Sequence, residues 1–137
     1  MEQQTPPPET PPAWQLRAVR GATSVEVDTP NAIQTAVGTL LKDLVAANNI
    51  APNDICTVFF TVTDDLHAIS PAKVARLTLP WHHVALFTSV EPAIEGLPSQ
   101  IIRVLIQFYT DKQPHALTHV YQNAAQQLRP DRVAENV

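Results

Sequence analysis

Three charged side chains stand where a folded chain of this kind does not need them. Arg103 lies in the run Ile101 to Tyr109 (IIRVLIQFY), whose alternation puts Ile102, Val104, Ile106 and Phe108 on one strand face. The opposite face reads Ile101, Arg103, Leu105, Gln107 and Tyr109 and is too apolar to be simply solvated. A guanidinium there either reaches water at a sheet edge or is buried beside an anion. Arg20 and Glu91 each close a predicted strand just before a turn, Arg20 ahead of Gly21-Ala22-Thr23 and Glu91 ahead of Pro92. Ligand-contacting groups collect at strand ends in open sheets, although a single charge beside a turn is also ordinary surface chemistry. Two arginines and a carboxylate at one sheet edge would suit a small substrate that carries carboxylates and a hydroxyl.

Other reactive side chains make weaker patterns. His115 and His119 are four residues apart on a predicted helix, as zinc ligands can be. No HExxH core or third ligand accompanies them, so an exposed helix face is the better reading and no metal site is expected. His82 and His83 point to opposite sides if they are strand-like, and His67 follows Asp65-Leu66 in a turn. Cys56, near a strand start, reads as a small buried hydrophobe. As the lone cysteine it excludes an intrachain disulfide and fits a reducing compartment. There is no GxGxxG, P-loop or GxSxG motif, and three glycines leave little scope for a phosphate-cradling loop.

The composition sets the frame for these residues. The chain has 137 residues, 45% hydrophobic and 16% charged, enough to build one ordinary core. Nine Lys and Arg against 13 Asp and Glu give a net charge of -4, which argues against nucleic acid and anionic membrane as partners. An anionic ligand must therefore be held by a few locally placed arginines. No apolar run reaches the ~18 residues needed to span a bilayer, and the start MEQQTPPPETPP has neither the basic nor the apolar part of a secretory signal. A cytoplasmic protein is the expectation. Five prolines precede Ala13, so residues 1–13 are expected to form a disordered, polyproline-like tail. Residues 14–131 are expected to form one domain and residues 132–137 a short C-terminal tail.

The elements that must position the charged residues follow from periodicity. Trp14 to Arg20 alternates and stops at Gly21, which predicts a strand. Thr29-Pro30 predicts a helix start, and Ile33, Val37, Leu40, Leu41, Leu44 and Val45 continue it to about Ala47. Ile55 to Thr63 (ICTVFFTVT) predicts a central strand, and Ser70-Pro71 opens a short helix to about Leu77. Val84 to Val90 and Ile101 to Tyr109 predict two more strands across a loop with Pro92, Gly96 and Pro98. From Pro114, the spacing of Leu117, Val120, Tyr121, Ala124, Ala125 and Leu128 predicts a third helix that Pro130 stops. The order β-α-β-α-β-β-α indicates an α+β (mixed α/β) domain, a mixed sheet with helices packed outside.

Five segments then share one resemblance. Arg20-Gly-Ala-Thr-Ser-Val-Glu-Val-Asp-Thr29 and Asp65-Leu-His-Ala-Ile-Ser-Pro-Ala-Lys-Val-Ala-Arg76 resemble two signatures of the monofunctional, AroH-type chorismate mutases. Trp81 with the strand leading to Glu91 is similar to a third. Ile102-Arg103-Val104 and His119-Val120-Tyr121, closing in Leu128-Arg129-Pro130-Asp131, are similar to the remaining two. They follow the family's order from about Leu16 to Asp131, so the resemblance spans the whole domain.

The resemblance implies a homotrimeric pseudo-α/β-barrel with active sites at the subunit clefts. The implied reaction is the Claisen rearrangement of chorismate to prephenate, a step of the shikimate pathway toward phenylalanine and tyrosine. The reaction is pericyclic and needs no cofactor or metal. By matching position Arg103 would donate to the breaking ether oxygen, Arg20 would hold a carboxylate with Tyr121, and Glu91 would accept from the ring hydroxyl. Phe87, Thr88, Ser89 and Val90 would wall the ring. Lys73 and Arg76 of a neighbouring subunit would raise the potential at the entrance, and Arg129 would close over the substrate. The chain departs from the family at Ser70, where relatives usually carry a phenylalanine over the pocket, at Thr88, which is cysteine in some, and at Pro92. Two other readings compete. One is a RidA-type imine deaminase, by fold analogy alone. The other is a non-catalytic trimeric module that binds chorismate or an amino acid.

Overall fold

The structure is a computed structural model that describes residues 14–128. The expectations for the two tails, and for Arg129, fall outside the described residues. Helix α1 spans Pro30–Asn48. It starts because Thr29 is extended and its side chain accepts from the Ala32 amide at 3.2 Å, with proline at the first helical position. It ends because Asn49 takes the left-handed conformation at φ 54°. The predicted stripe is its inward face, with Ile33, Val37, Leu40, Leu41 and Leu44 all buried. The shorter α2 spans Pro71–Thr78 and is capped by Ser70, whose side chain accepts from the Ala72 amide.

Five strands form one sheet: β1 (Gln15–Ser24), β2 (Ile55–Val62), β3 (Ala85–Val90), β4 (Ile101–Thr110) and β5 (Val120–Tyr121). Their spatial order is β3-β2-β4-β1-β5. β4 is antiparallel to both of its neighbours, while β2 pairs with β3 and β1 with β5 in parallel. The C-terminal ends of four strands and the start of β4 therefore share one edge of the sheet. One face, with Val19, Val58, Phe60, Val104, Ile106 and Phe108, packs against the two helices and forms the core. The other face carries Leu16, Phe59, Phe87 and Tyr109, all exposed, with Phe59 and Phe87 in edge-to-face contact at 5.9 Å. The α+β class and the mixed sheet agree with the expectation from sequence.

Several local expectations are corrected. The third helix does not form. Residues after Pro114 make a 3₁₀ turn (Pro114–Ala116), then β5, then a 3₁₀ segment (Asn123–Leu128). Sheet pairing overrides the helical spacing here, because Val120 and Tyr121 align with Gly21 and Ala22 on the free edge of β1. Arg20 does not precede a turn, since β1 continues through Gly21 to Ser24. Cys56 is exposed, not buried, and sits beside the irregularity in the β2–β4 register between Ile55 and Thr57. His82 and His83 lie in the turn before β3 rather than in a strand. Of the alternating face of β4, Ile101 is covered in a small cluster with Ala22 and Ala125.

Gly21 is mid-strand for a steric reason. A Cβ there would lie 2.6 Å from Leu44 Cδ1 and 3.2 Å from both Leu40 Cδ1 and Val104 Cγ1. The absent side chain lets α1 sit directly on β1. Gly21→Ala is expected to lower the unfolding free energy by about 1–3 kcal/mol through overpacking. Urea unfolding with an unchanged m value would register it, and an unchanged midpoint would mean that Leu44 simply moves aside.

Candidate active site

The polar groups at the shared sheet edge all come from strand register. Arg103 is the third residue of β4, and its in-register neighbours are Thr61 on β2 and Ala22 on β1. Glu91 follows β3, and its amide donates to the Val62 carbonyl at 2.8 Å, which extends the ladder by one residue. Pro92 has no amide hydrogen and cannot continue it. The carboxylate is thus carried to Arg103, and Arg103 Nη2 stands 2.9 Å from Glu91 Oε2. The other oxygen, Oε1, accepts from the Thr61 hydroxyl at 2.8 Å. Glu91 is mostly buried, with 12% of its side chain exposed, while Arg103 keeps 38%.

Arg103 has unspent capacity. Its Nε is shielded from solvent and has no hydrogen-bond partner among the described residues. A buried donor left unpaired costs about 1–3 kcal/mol. The pair opens onto a cleft of about 690 Å³. Arg20, Phe59, Thr61, Glu91, Arg103 and Tyr121 line it, with Ile94 and Leu97 from the loop after β3 and Leu128 closing one side. Two guanidiniums against one carboxylate leave local positive charge in a chain of net charge -4. Apolar walls around a few convergent donors fit a small organic anion rather than a polymer.

The C-terminal segment is pinned so that Tyr121 reaches this cleft. The Arg20 amide donates to His119 Nδ1 at 3.0 Å, and the Gln122 amide to the Ala22 carbonyl at 2.9 Å. Asn48, buried at the end of α1, donates through Nδ2 to the carbonyls of Leu44 and Thr118, each at 2.9 Å. Its Oδ1 accepts from the Thr118 amide at 2.8 Å. One side chain thus satisfies both backbone groups of Thr118 where no strand or helix does.

The structure brings together Arg20, Glu91, Arg103 and Tyr121 from the sequence candidates. Among the described residues, it does not bring the other candidates to this cleft within one chain. Lys73 and Arg76 are exposed on α2. Thr88 faces α2, its hydroxyl 3.1 Å from that of Ser70, and Phe87 lies on the open face beside Phe59. Ser89 and Val90 are exposed near the end of β3. Ser70 thus caps α2 and ties it to β3. Among the described residues no three His, Cys, Asp or Glu side chains could hold one metal ion, and no helix is long and apolar enough to cross a membrane. Sequence reasoning missed Thr61, Phe59, Ile94, Leu97, Asn48 and the role of His119. For Thr61 the signal was present, since it alternates with buried Val58, Phe60 and Val62, but its partners depend on register.

Comparison with known proteins gives one answer. The family model described as chorismate mutase type I matches residues 16–132. The chain is 40% identical over 117 residues to chorismate mutase AroH of Thermus thermophilus, covering 85% of this chain and 95% of that protein. It is 34% identical over 116 residues to chorismate mutase AroH of Bacillus subtilis (strain 168), covering 85% and 91%. The solved structure of a chorismate mutase from Clostridium thermocellum superposes with a TM-score of 0.77 at 37% identity, covering 80% of this chain and 97% of that one.

Asn48→Ala strips Thr118 of both partners at once and is expected to cost about 1–3 kcal/mol of stability. Amide exchange at Thr118 and Tyr121 should accelerate more than at Val58 or Phe60. Equal acceleration everywhere would mean that Asn48 supports the fold and not this segment in particular.

Proposed function

Because the chain belongs to the chorismate mutase type I family and is itself a chorismate mutase, we propose that the cleft beside Arg103 is where chorismate rearranges to prephenate. The enzyme is an isomerase of aromatic amino acid biosynthesis. The observation that carries the site assignment is the Glu91–Arg103 pair set beside Arg20 and Tyr121 in a half-apolar cleft. The rearrangement is intramolecular. One C–O bond breaks and one C–C bond forms, and no proton or electron leaves the substrate. The residues therefore have two tasks, to hold the reactive conformer and to meet the charge that develops.

Chorismate is a dicarboxylate with a ring hydroxyl, and its enolpyruvyl arm must fold over the ring. Arg20 and the Tyr121 hydroxyl grip the arm's carboxylate and supply much of that restraint. As the C–O bond lengthens ahead of C–C formation, the ether oxygen gains negative charge and the ring positive charge. Arg103 meets the first with a donor already fixed in place, and Glu91 accepts from the ring hydroxyl and faces the second. Phe59, Ile94 and Leu97 keep water from the ring and so strengthen both interactions.

The assembly is a homotrimer. Leu16, Phe59, Phe87 and Tyr109 are exposed on one sheet face, and apolar groups of this size on one face are what neighbouring subunits would cover. Covering this face with neighbouring subunits also explains how residues far from the cleft in one chain reach another chain's cleft. Phe87, Thr88, Ser89 and Val90 line it from across the interface, and Lys73 and Arg76 raise its potential. The single cysteine fits a cytoplasmic setting.

Arg103→Lys keeps the charge but not the planar fork. It is expected to lower kcat by about 10²–10³, with the melting temperature nearly unchanged, when purified enzyme is assayed for chorismate loss and prephenate formation. Normal turnover would reduce Arg103 to a structural arginine. Light scattering of the wild-type protein at micromolar concentration should give the mass of a trimer, and a monomer would remove the shared-site reading.

A further inference from the structure

We propose that Thr61 is a positioning residue for the rearrangement, acting through Glu91 to keep the Arg103 guanidinium available. This rests on the site assignment above. Glu91 has two oxygens and meets two donors, Thr61 Oγ1 at Oε1 and Arg103 Nη2 at Oε2. The contact with Arg103 therefore uses one oxygen only. A carboxylate beside an arginine otherwise tends to close on it with both oxygens, two parallel N–H···O bonds being the favoured geometry. Such closure would occupy a second guanidinium donor with a protein group. In the structure that has not happened, and Nε has no partner among the described residues.

The hydroxyl is well placed to enforce this. Thr61 is the in-register partner of Arg103 across β2 and β4, and its own strand supports the amide of Glu91 through Val62. Backbone pairing thus fixes the donor relative to both charges. Threonine's branched Cβ leaves few χ1 rotamers, so the hydroxyl is held with little entropy left to lose. A valine has the same shape and no donor. It would free Oε1 to swing onto the guanidinium and convert a split contact into a closed ion pair. Charge on the ether oxygen develops only as the reaction proceeds, so the loss falls on turnover more than on substrate binding.

The test is a cycle of full-length variants assayed on chorismate: Thr61→Val, Thr61→Ser, Glu91→Ala and the double variant Thr61→Val/Glu91→Ala. Thr61→Val is expected to lower kcat about ten-fold, the scale of one hydrogen bond to a charged group, with KM changing less than about three-fold. Thr61→Ser restores the hydroxyl and should come within about three-fold of wild type. Added to Glu91→Ala, Thr61→Val should cost less than about two-fold, because its route of action is already gone. Should the valine variant fail to fold, Thr61→Ala takes its place in the cycle.

Wild-type kinetics in Thr61→Val alongside an impaired Glu91→Ala would overturn the proposal and leave the site assignment standing. So would a serine variant as slow as the valine, or a full ten-fold loss that persists without Glu91. An unimpaired Glu91→Ala would instead remove the role given to Glu91, and the role of Thr61 with it.

Discussion

A guanidinium on the middle strand of a sheet needs a counter-charge, and supplying one organises the functional edge of this molecule. Arg103 sits at the start of β4, between β2 and β1, with 38% of its side chain exposed and its Nε shielded from solvent. Glu91 neutralises it, but only because β3 runs parallel to β2 and ends one residue beyond the sheet proper. Pro92 stops the ladder at that point. The ion pair is therefore a product of topology as much as of charge: four strands end where the one antiparallel strand begins. An unpaired arginine there would be costly to bury, and a fully paired one would have nothing left for a substrate. The observed geometry lies between these limits, with one donor shared and one unpartnered.

The same edge depends on the C-terminal segment abandoning helical structure. Its apolar spacing suits a helix, yet a helix would satisfy its own backbone and leave the edge of β1 open. Pairing Val120 and Tyr121 with Gly21 and Ala22 closes that edge and turns Tyr121 toward the cleft. Asn48 makes this possible by supplying a donor and an acceptor to Thr118 just ahead of β5. The cleft wall is thus anchored to the end of α1, and α1 is in turn set on β1 by the missing side chain of Gly21. Packing, backbone satisfaction and site geometry share the same few residues.

The two faces of the sheet have different physical requirements. The helix-facing side is a closed apolar core within one chain. The other side leaves aromatic and aliphatic groups exposed, Phe59 among them at the charged cleft. A chain of net charge -4 that gathers two arginines around one carboxylate concentrates positive potential at a single point. Such an arrangement favours a small dianion over a long polyanion, which would meet repulsion elsewhere.

The sequence alone determined the features that rest on short-range chemistry. The N-cap and proline of α1, its buried stripe, the strand character of ICTVFFTVT and the face alternation of β4 are set by residues within a few positions of one another. Arg20, Glu91 and Arg103 were legible as candidates because a charge in an apolar strand, or at its end, is locally anomalous. The tertiary structure decided whatever depended on a distant partner. Arg20 lies inside a longer strand because Gly21 can be packed under Leu44, a contact no local pattern announces. Residues from Leu117 to Leu128 carry a helical period, but strand pairing with β1 offered their backbone a better arrangement. Cys56 is exposed because the register slips beside it. Thr61 is an unremarkable strand threonine until pairing places it across from Arg103 and within reach of Glu91. Periodicity reports which face a side chain takes, but only register reports what stands opposite it, because the partner is chosen by hydrogen bonding between strands far apart in the chain.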